Sequence, residues 1–224
     1  MPHRIVFTFV STAALVLSMA STQAAEIAVD PGLEMAGMTG IPQNPDPQVV
    51  GWNCFPQSSA NTCGTTTTDP FAGTYSAQLT TTALASPNTL KQGFVGQGVV
   101  LPDSPVTVSF WARGSGAIGG VAFAELFSEI AGGGVSKPEI LGGGPLALDP
   151  DPDTWKQFVF NTTTGPDVSG GLTLQFNAAT GGADGSFSEL FVDNISIQVV
   201  PVPAAVWLFG SALGLLGWMR RSSR

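Results

Sequence analysis

Val106-Thr107-Val108-Ser109-Phe110-Trp111-Ala112-Arg113 sets Val106, Val108 and Phe110 against Thr107, Ser109 and Trp111 on alternate positions. In an extended chain successive side chains point to opposite faces, so this stretch reads as a half-buried β-strand. Leu172, Leu174 and Phe176 repeat the pattern against Thr173 and Gln175. Further candidate strands run from Ala77 to Ala83, Phe94 to Leu101, Ile118 to Phe127, Lys156 to Asn161 and Phe191 to Val199, with glycine and proline punctuating the chain between them. A helical period is at most brief, at Ala122 to Ile130, where flanking glycines limit it. About eight strands of this length predict an all-β, two-sheet jelly-roll sandwich of antiparallel strands. No internal repeat or second domain is visible.

The two ends read differently. Arg4 opens a charged segment, Ile5 to Ala20 is apolar and free of acids, and Thr22-Gln23-Ala24 offers small residues for cleavage after Ala24, so residues 1–24 read as a signal peptide. At the other end Pro201-Val202-Pro203 stops the preceding strand, and an uncharged stretch from Ala204 to Met219 leads to Arg220, Arg221 and Arg224. As a helix at about 1.5 Å per residue, 204–219 would extend roughly 24 Å, enough to cross a bilayer if its flanks lie in the interface, with the arginines on the cytoplasmic side. The exported domain is then 25–200. In the order proline motif, short apolar helix, terminal arginines, residues 201–224 resemble the PEP-CTERM sorting signal of Gram-negative bacteria in its VPLPA-type form, with Val202 in place of Leu. The resemblance implies an exosortase as partner, passage through the inner membrane and a final place at the cell surface or in the extracellular matrix. An ordinary tail anchor is the alternative; both put the domain outside.

All sixteen acids lie between Glu26 and Asp193, but only Lys91, Arg113, Lys137 and Lys156 of the eight bases do, which gives the exported domain a net charge of −12. Such a surface repels phosphate backbones and argues against nucleic-acid binding. The single histidine, His3, leaves with the signal peptide, so imidazole-based triads and most transition-metal sites are excluded. Cys54 and Cys63 are the only cysteines. Outside the cytoplasm they predict a local disulfide bracing a loop, and no base close in sequence would activate either thiol.

Six pieces in order resemble the galactose-binding-like jelly roll of many carbohydrate-binding modules: Pro31-Gly32-Leu33-Glu34, Gly51-Trp52, Ala72 to Leu79, Val108 to Arg113, Trp155 to Phe158 and Phe191 to Ile197. Leu33 stands where that family usually has Phe, and the cysteine loop is an addition. In the last piece Phe191, Asp193, Ile195 and Ile197 share one parity, which sets a carboxylate among large apolar residues. That is costly unless the charge is paired or bound to a metal. Calcium, a hard cation with oxygen ligands, would resolve it. The resemblance implies a structural calcium held by Glu34, Asp193 and the backbone around Asp69 and Gly73. The other reading is an Asp193 that caps a turn at the sandwich edge.

Sugar-binding sandwiches present aromatic faces to pyranose rings and amides or carboxylates to hydroxyls. Trp52 and Phe55 beside the cysteine loop, Trp111, Gln175 and Asn177 are the candidates, with core packing the competing role for each aromatic. A glycosidase would need two carboxylates at close range, and Glu125 with Glu129, or Asp149, Asp151 and Asp153, are the available sets. Asp149-Pro150-Asp151-Pro152-Asp153 reads instead as an extended, solvated loop, because proline pushes each preceding residue out of the helical region. The expected protein is a non-catalytic, polysaccharide-binding surface or matrix protein. A purely structural or adhesive matrix protein and a carbohydrate-active enzyme are the alternatives.

Overall fold

The computed structural model describes residues 24–34 and 51–199. The sequence-based readings of 1–23 and of 201–224, including Pro201, Val202, Pro203, Arg220 and Arg221, fall outside the described residues. Among the described residues no helix is long and apolar enough to cross a membrane.

The described chain forms β1 (Ala25–Glu26), β2 (Asn53–Pro56), β3 (Thr62–Thr66), β4 (Ser76–Thr81), β5 (Pro87–Val95), β6 (Pro105–Ala117), β7 (Val121–Glu129), β8 (Val135–Ile140), β9 (Lys156–Thr163), β10 (Gly171–Ala179) and β11 (Phe187–Val199). Every pairing is antiparallel. One sheet runs β3-β4-β11-β6-β9 with β1 also on β11, and the other runs β2-β5-β10-β7-β8. The result is a two-sheet jelly-roll sandwich. Its core is made where the inward positions of both sheets meet: Phe110 of β6 packs edge-on against Phe176 of β10 at 4.8 Å, and Trp52 lies 5.9 Å from the same ring.

Cys54 and Cys63 are disulfide-bonded. Because β2 and β3 are edge strands of opposite sheets, the bond ties the two layers together along one side of the sandwich. The bonded pair therefore braces the layers as well as the loop between them.

Two expectations are corrected. Phe94 to Leu101 is a strand only to Val95; Gly96 and Gly98 have φ of 69° and 73°, and Val99 and Val100 both donate to the Gly96 carbonyl in a turn. The strand lies earlier, at β5, hidden by its polar inward residues Asn88 and Gln92. Asn88 Nδ2 donates to the carbonyls of Thr62 and Thr80, and Gln92 exchanges hydrogen bonds with the Val29 backbone, so neither is an orphaned donor in the core. The strand expected at Ile118 to Phe127 is present as β7, which runs on to Glu129 and leaves no helical turn at Ala122 to Glu129.

The second correction concerns parity in β11. The register against β6 shifts between Asp193 and Ser196, and Asn194 sits at φ 48°, a β-bulge that turns the chain over. Leu190 and Val192 face the core before it, and Ile195, Ile197 and Val199 after it. Asp193 therefore shares the outer face with Phe191 and not with Ile195 and Ile197. The bulge also frees the Ile195 N–H to bond the Pro31 carbonyl at 2.8 Å, which fastens the 30–34 segment to the strand.

Candidate functional site

On the outer face of the six-stranded sheet, β6 and β11 place Trp111 opposite Asp193 and Arg113 opposite Phe191. The loop from Thr68 to Tyr75 lies over them. Phe71 stacks on Trp111 with centroids 3.9 Å apart and meets Trp155 edge-on. Arg113, only 4 % exposed, holds its guanidinium 3.8 Å from the Phe191 ring centre and donates to the Thr68 carbonyl. Asp153 and Asp69 approach it at 3.6 and 4.0 Å. Trp111, expected among the ligand platforms, is thus covered by the protein's own Phe71.

Asp193 is fully buried at the margin of this cover. Its Oδ2 accepts the Ala72 N–H at 3.0 Å and its Oδ1 the Asn194 N–H at 2.6 Å. Loss of solvent pushes its carboxyl above the usual range and the neighbouring Glu34 charge adds to this, while the N–H donors pull it back. Glu34 Oε1 accepts the N–H groups of Thr74 and Tyr75 at 2.7 and 2.9 Å, which hold its carboxyl below its ordinary value. Gly73 is required here: its φ is 66°, and a Cβ would stand 2.2 Å from Glu34 Oε1.

Two carboxylates thus converge on one turn, and among the described residues neither is ion-paired there. Ser76 Oγ, on the residue preceding Ala77, the β4 partner of Val192, is buried and lacks a hydrogen-bond partner. Carboxylate, hydroxyl and carbonyl oxygens suit a hard cation, so the residues present fit calcium. Backbone and hydroxyl oxygens would have to complete the shell, because no three acidic, histidine or cysteine side chains gather within metal range among the described residues. Asp69 is engaged elsewhere: its carbonyl accepts the Trp155 indole N–H at 3.1 Å and its carboxylate faces Arg113.

The five-stranded sheet presents a second outer face. Since Leu172, Leu174, Phe176 and Ala178 line the core, Gln175 and Asn177 point outward. Register then builds one row of Asn53, Lys91, Gln175, Glu125 and Ile140, and beside it a row of Phe55, Thr89, Asn177 and Phe123. Glu125 Oε2 accepts from both Gln175 Nε2 at 2.7 Å and Asn177 Nδ2 at 2.5 Å. Thr89 Oγ1 donates to Asn177 Oδ1, and Lys91 Nζ stands 4.7 Å from the Phe55 ring centre. A polar strip framed by half-buried phenylalanines crosses the sheet.

Of the expected sugar contacts, this face unites Phe55, Gln175 and Asn177. Trp52 is a correction: it is 2 % exposed, packs against Phe176 and donates its indole N–H to the Asp30 carbonyl. Strand parity puts it inward with Cys54. Thr89 and Lys91 were not legible as site residues, since β5 itself was missed; Phe123 lies on the expected strand β7 but joins the site only through its register with Asn177. A separate cavity of about 300 Å³ lies between the β6–β7 turn and the 145–150 segment. Its glycines answer to packing: a Cβ on Gly120 would stand 1.6 Å from the Phe187 carbonyl oxygen.

No protein-family model and no curated protein matches the sequence. Among solved structures the chain is similar to an apo-form cyclase from Fischerella sp., with 14 % identity over 80 % of this chain and 98 % of that one at a TM-score of 0.54. It also resembles a xylan-binding domain from Paenibacillus barcinonensis, with 14 % identity over 68 % of this chain and 88 % of that one at a TM-score of 0.48. A third likeness is to the enzymatically active domain of tailspike protein 4 from bacteriophage CBA120, with 13 % identity over 66 % of this chain but only 19 % of that one at a TM-score of 0.49. At its identity the first of these likenesses extends to the fold alone.

Proposed function

We propose that this chain is an exported surface or matrix protein whose sandwich binds polysaccharide, without catalysis, on the outer face of the five-stranded sheet. The observation that carries the reading is the strip in which Glu125, Gln175, Asn177 and Thr89 are joined by hydrogen bonds beside Phe55 and Phe123. Amides and a carboxylate held in register suit vicinal hydroxyls, and flanking rings suit the C–H faces of sugars. Export through the inner membrane, and sorting by an exosortase, rest on the sequence of the two ends. Calcium is proposed as a structural ion at Glu34 and Asp193, where it would neutralise a buried charge and pin the 71–76 turn.

The non-catalytic reading is supported by spacing. Glu125 and Glu129 are four residues apart on one strand, roughly 13 Å between Cα atoms, and the Glu125 carboxylate is held by Gln175 and Asn177 on the side away from Glu129 instead of being turned toward it as a glycosidase pair requires. The Asp149 and Asp151 carboxylates accept the N–H groups of Asp151 and Asp153 on their own loop, and the Asp153 carboxylate faces Arg113. A second reading, an adhesive matrix protein without glycan binding, is favoured by Val135 and Ile140, both 42 % exposed on the edge strand β8.

The test is retention of the oxidised full-length chain on exopolysaccharide and a glycan panel, with calcium and then with chelator. Saturable retention lost in Gln175→Ala and Phe55→Ala supports the glycan reading. No retention by a folded sample that self-associates would move the assignment to the adhesive one.

A further inference from the structure

Resting on the glycan reading, we infer that the ligand carries an isolated carboxylate, as in a largely neutral polysaccharide bearing occasional uronic acids, and that Lys91 is the residue that selects it. Four cations lie among the described residues, and three are already engaged. Arg113 is enclosed by Phe191, Thr68 and two carboxylates. Lys137 is 2.8 Å from Glu139 and donates to the Thr163 carbonyl, and Lys156 donates to the Ala147 carbonyl. Among the described residues Lys91 meets only the Phe55 ring.

Its placement is specific. Lys91 lies in the same row as Gln175 and Glu125, one strand from the first and two from the second, so about 10 Å separates its Cα from that of Glu125. The ammonium group leans the other way, over Phe55 on the edge strand β2. The face therefore has two ends. At one, a ring can carry a pyranose while the ammonium above it meets a carboxylate on that sugar. At the other, Glu125 with its two amides takes neutral hydroxyls and would repel a second acid. At physiological salt, charges more than about 8 Å away are largely screened, so Lys91 sets the local sign in spite of the acidic domain. A polymer with an acid on every sugar would meet that acidic surface along its whole length. Sparse carboxylates suit the face; dense ones do not.

The experiment compares binding of the full-length, oxidised chain to glucuronoxylan oligosaccharides carrying one uronate, to the same oligosaccharides after carboxyl reduction, and to polygalacturonate. The acid form is expected to bind about tenfold more tightly than its reduced counterpart, the worth of one charge-assisted hydrogen bond at a half-exposed position. Lys91→Met should erase that preference, bringing the acid and reduced forms to equal affinity, and Lys91→Arg should keep it. Thermal unfolding of each variant confirms that the fold is intact. Equal binding of acid and reduced forms, a Lys91→Met protein that still prefers the acid, or strongest binding to polygalacturonate would overturn the inference and leave the glycan face standing. Binding to none of the three would overturn both.

Discussion

The two outer faces of the sandwich hold the same kinds of side chain and use them oppositely. On the six-stranded sheet Trp111, Arg113, Phe191 and Asp193 are met by Phe71, Trp155, the Thr68 carbonyl and the Ala72 N–H, all from this chain. On the five-stranded sheet Phe55, Lys91, Gln175 and Glu125 satisfy one another in the plane of the sheet, and among the described residues no loop contact comparable to Phe71 on Trp111 covers them. An aromatic, a cation and a carboxylate on a strand do not make a binding site. What the rest of the chain lays over them decides whether they act as core or as surface.

The comparison can be broken most severely at the covered face. Trp111→Ala should cost about 2–4 kcal/mol by removing a stacked, mostly buried ring, read as a shift in the denaturation midpoint, while glycan retention stays at the parental level. Retention lost along with stability would mean that the covered face is the site. Reducing the Cys54–Cys63 bond should lower stability by about 3 kcal/mol on loop entropy, with chemical denaturation under reductant as the measurement. Both faces should then weaken together, since the bond joins their sheets.

At the five-stranded face the signs reverse. Gln175→Ala should weaken glycan binding about tenfold and change stability by less than about 1 kcal/mol, measured by titration calorimetry beside thermal unfolding. The smallest effect concerns pH. Calcium binding needs ionised carboxylates, and burial raises the Asp193 carboxyl, so protons compete with the ion before the usual aspartate range is reached. A calcium-induced rise in Tm should therefore be full near neutrality and shrink as pH falls through that raised value. Glu34, shifted the other way by the Thr74 and Tyr75 N–H groups, stays ionised further down, and its own contribution is lost only as pH falls through its depressed value. A rise in Tm that persists unchanged to pH 4, or that survives in Asp193→Ala, would remove the ion from this turn.

Alternation made the fold class legible: β6, β7 and β10 carry it plainly, and the sandwich follows from their number. It failed where local geometry overrides periodicity. The Asn194 bulge reverses parity inside an unbroken apolar run, so Asp193 could be singled out as an anomaly but not put on its true face. β5 escaped because Asn88 and Gln92 are buried on the strength of hydrogen bonds to backbone, which leave no mark in hydropathy. Phe55, Gln175 and Asn177 were legible as candidates by residue type. That they meet, and that Trp52 and Trp111 do not join them, is decided by strand order and by a covering loop, and neither is written in local sequence.

The position of β11 has a mechanical consequence. It lies between β4 and β6, with β1 beside its last two residues. A force drawn through Val199 along the chain enters an interior strand flanked by ladders on both sides, so many hydrogen bonds bear the load at once in shear. An edge strand pulled outward would give them up one at a time. Tension applied from the C-terminal side therefore meets the sandwich at an interior strand that cannot peel from an edge, and the bulge at Asn194, with the Ile195 N–H bonded to the Pro31 carbonyl, resists sliding as well.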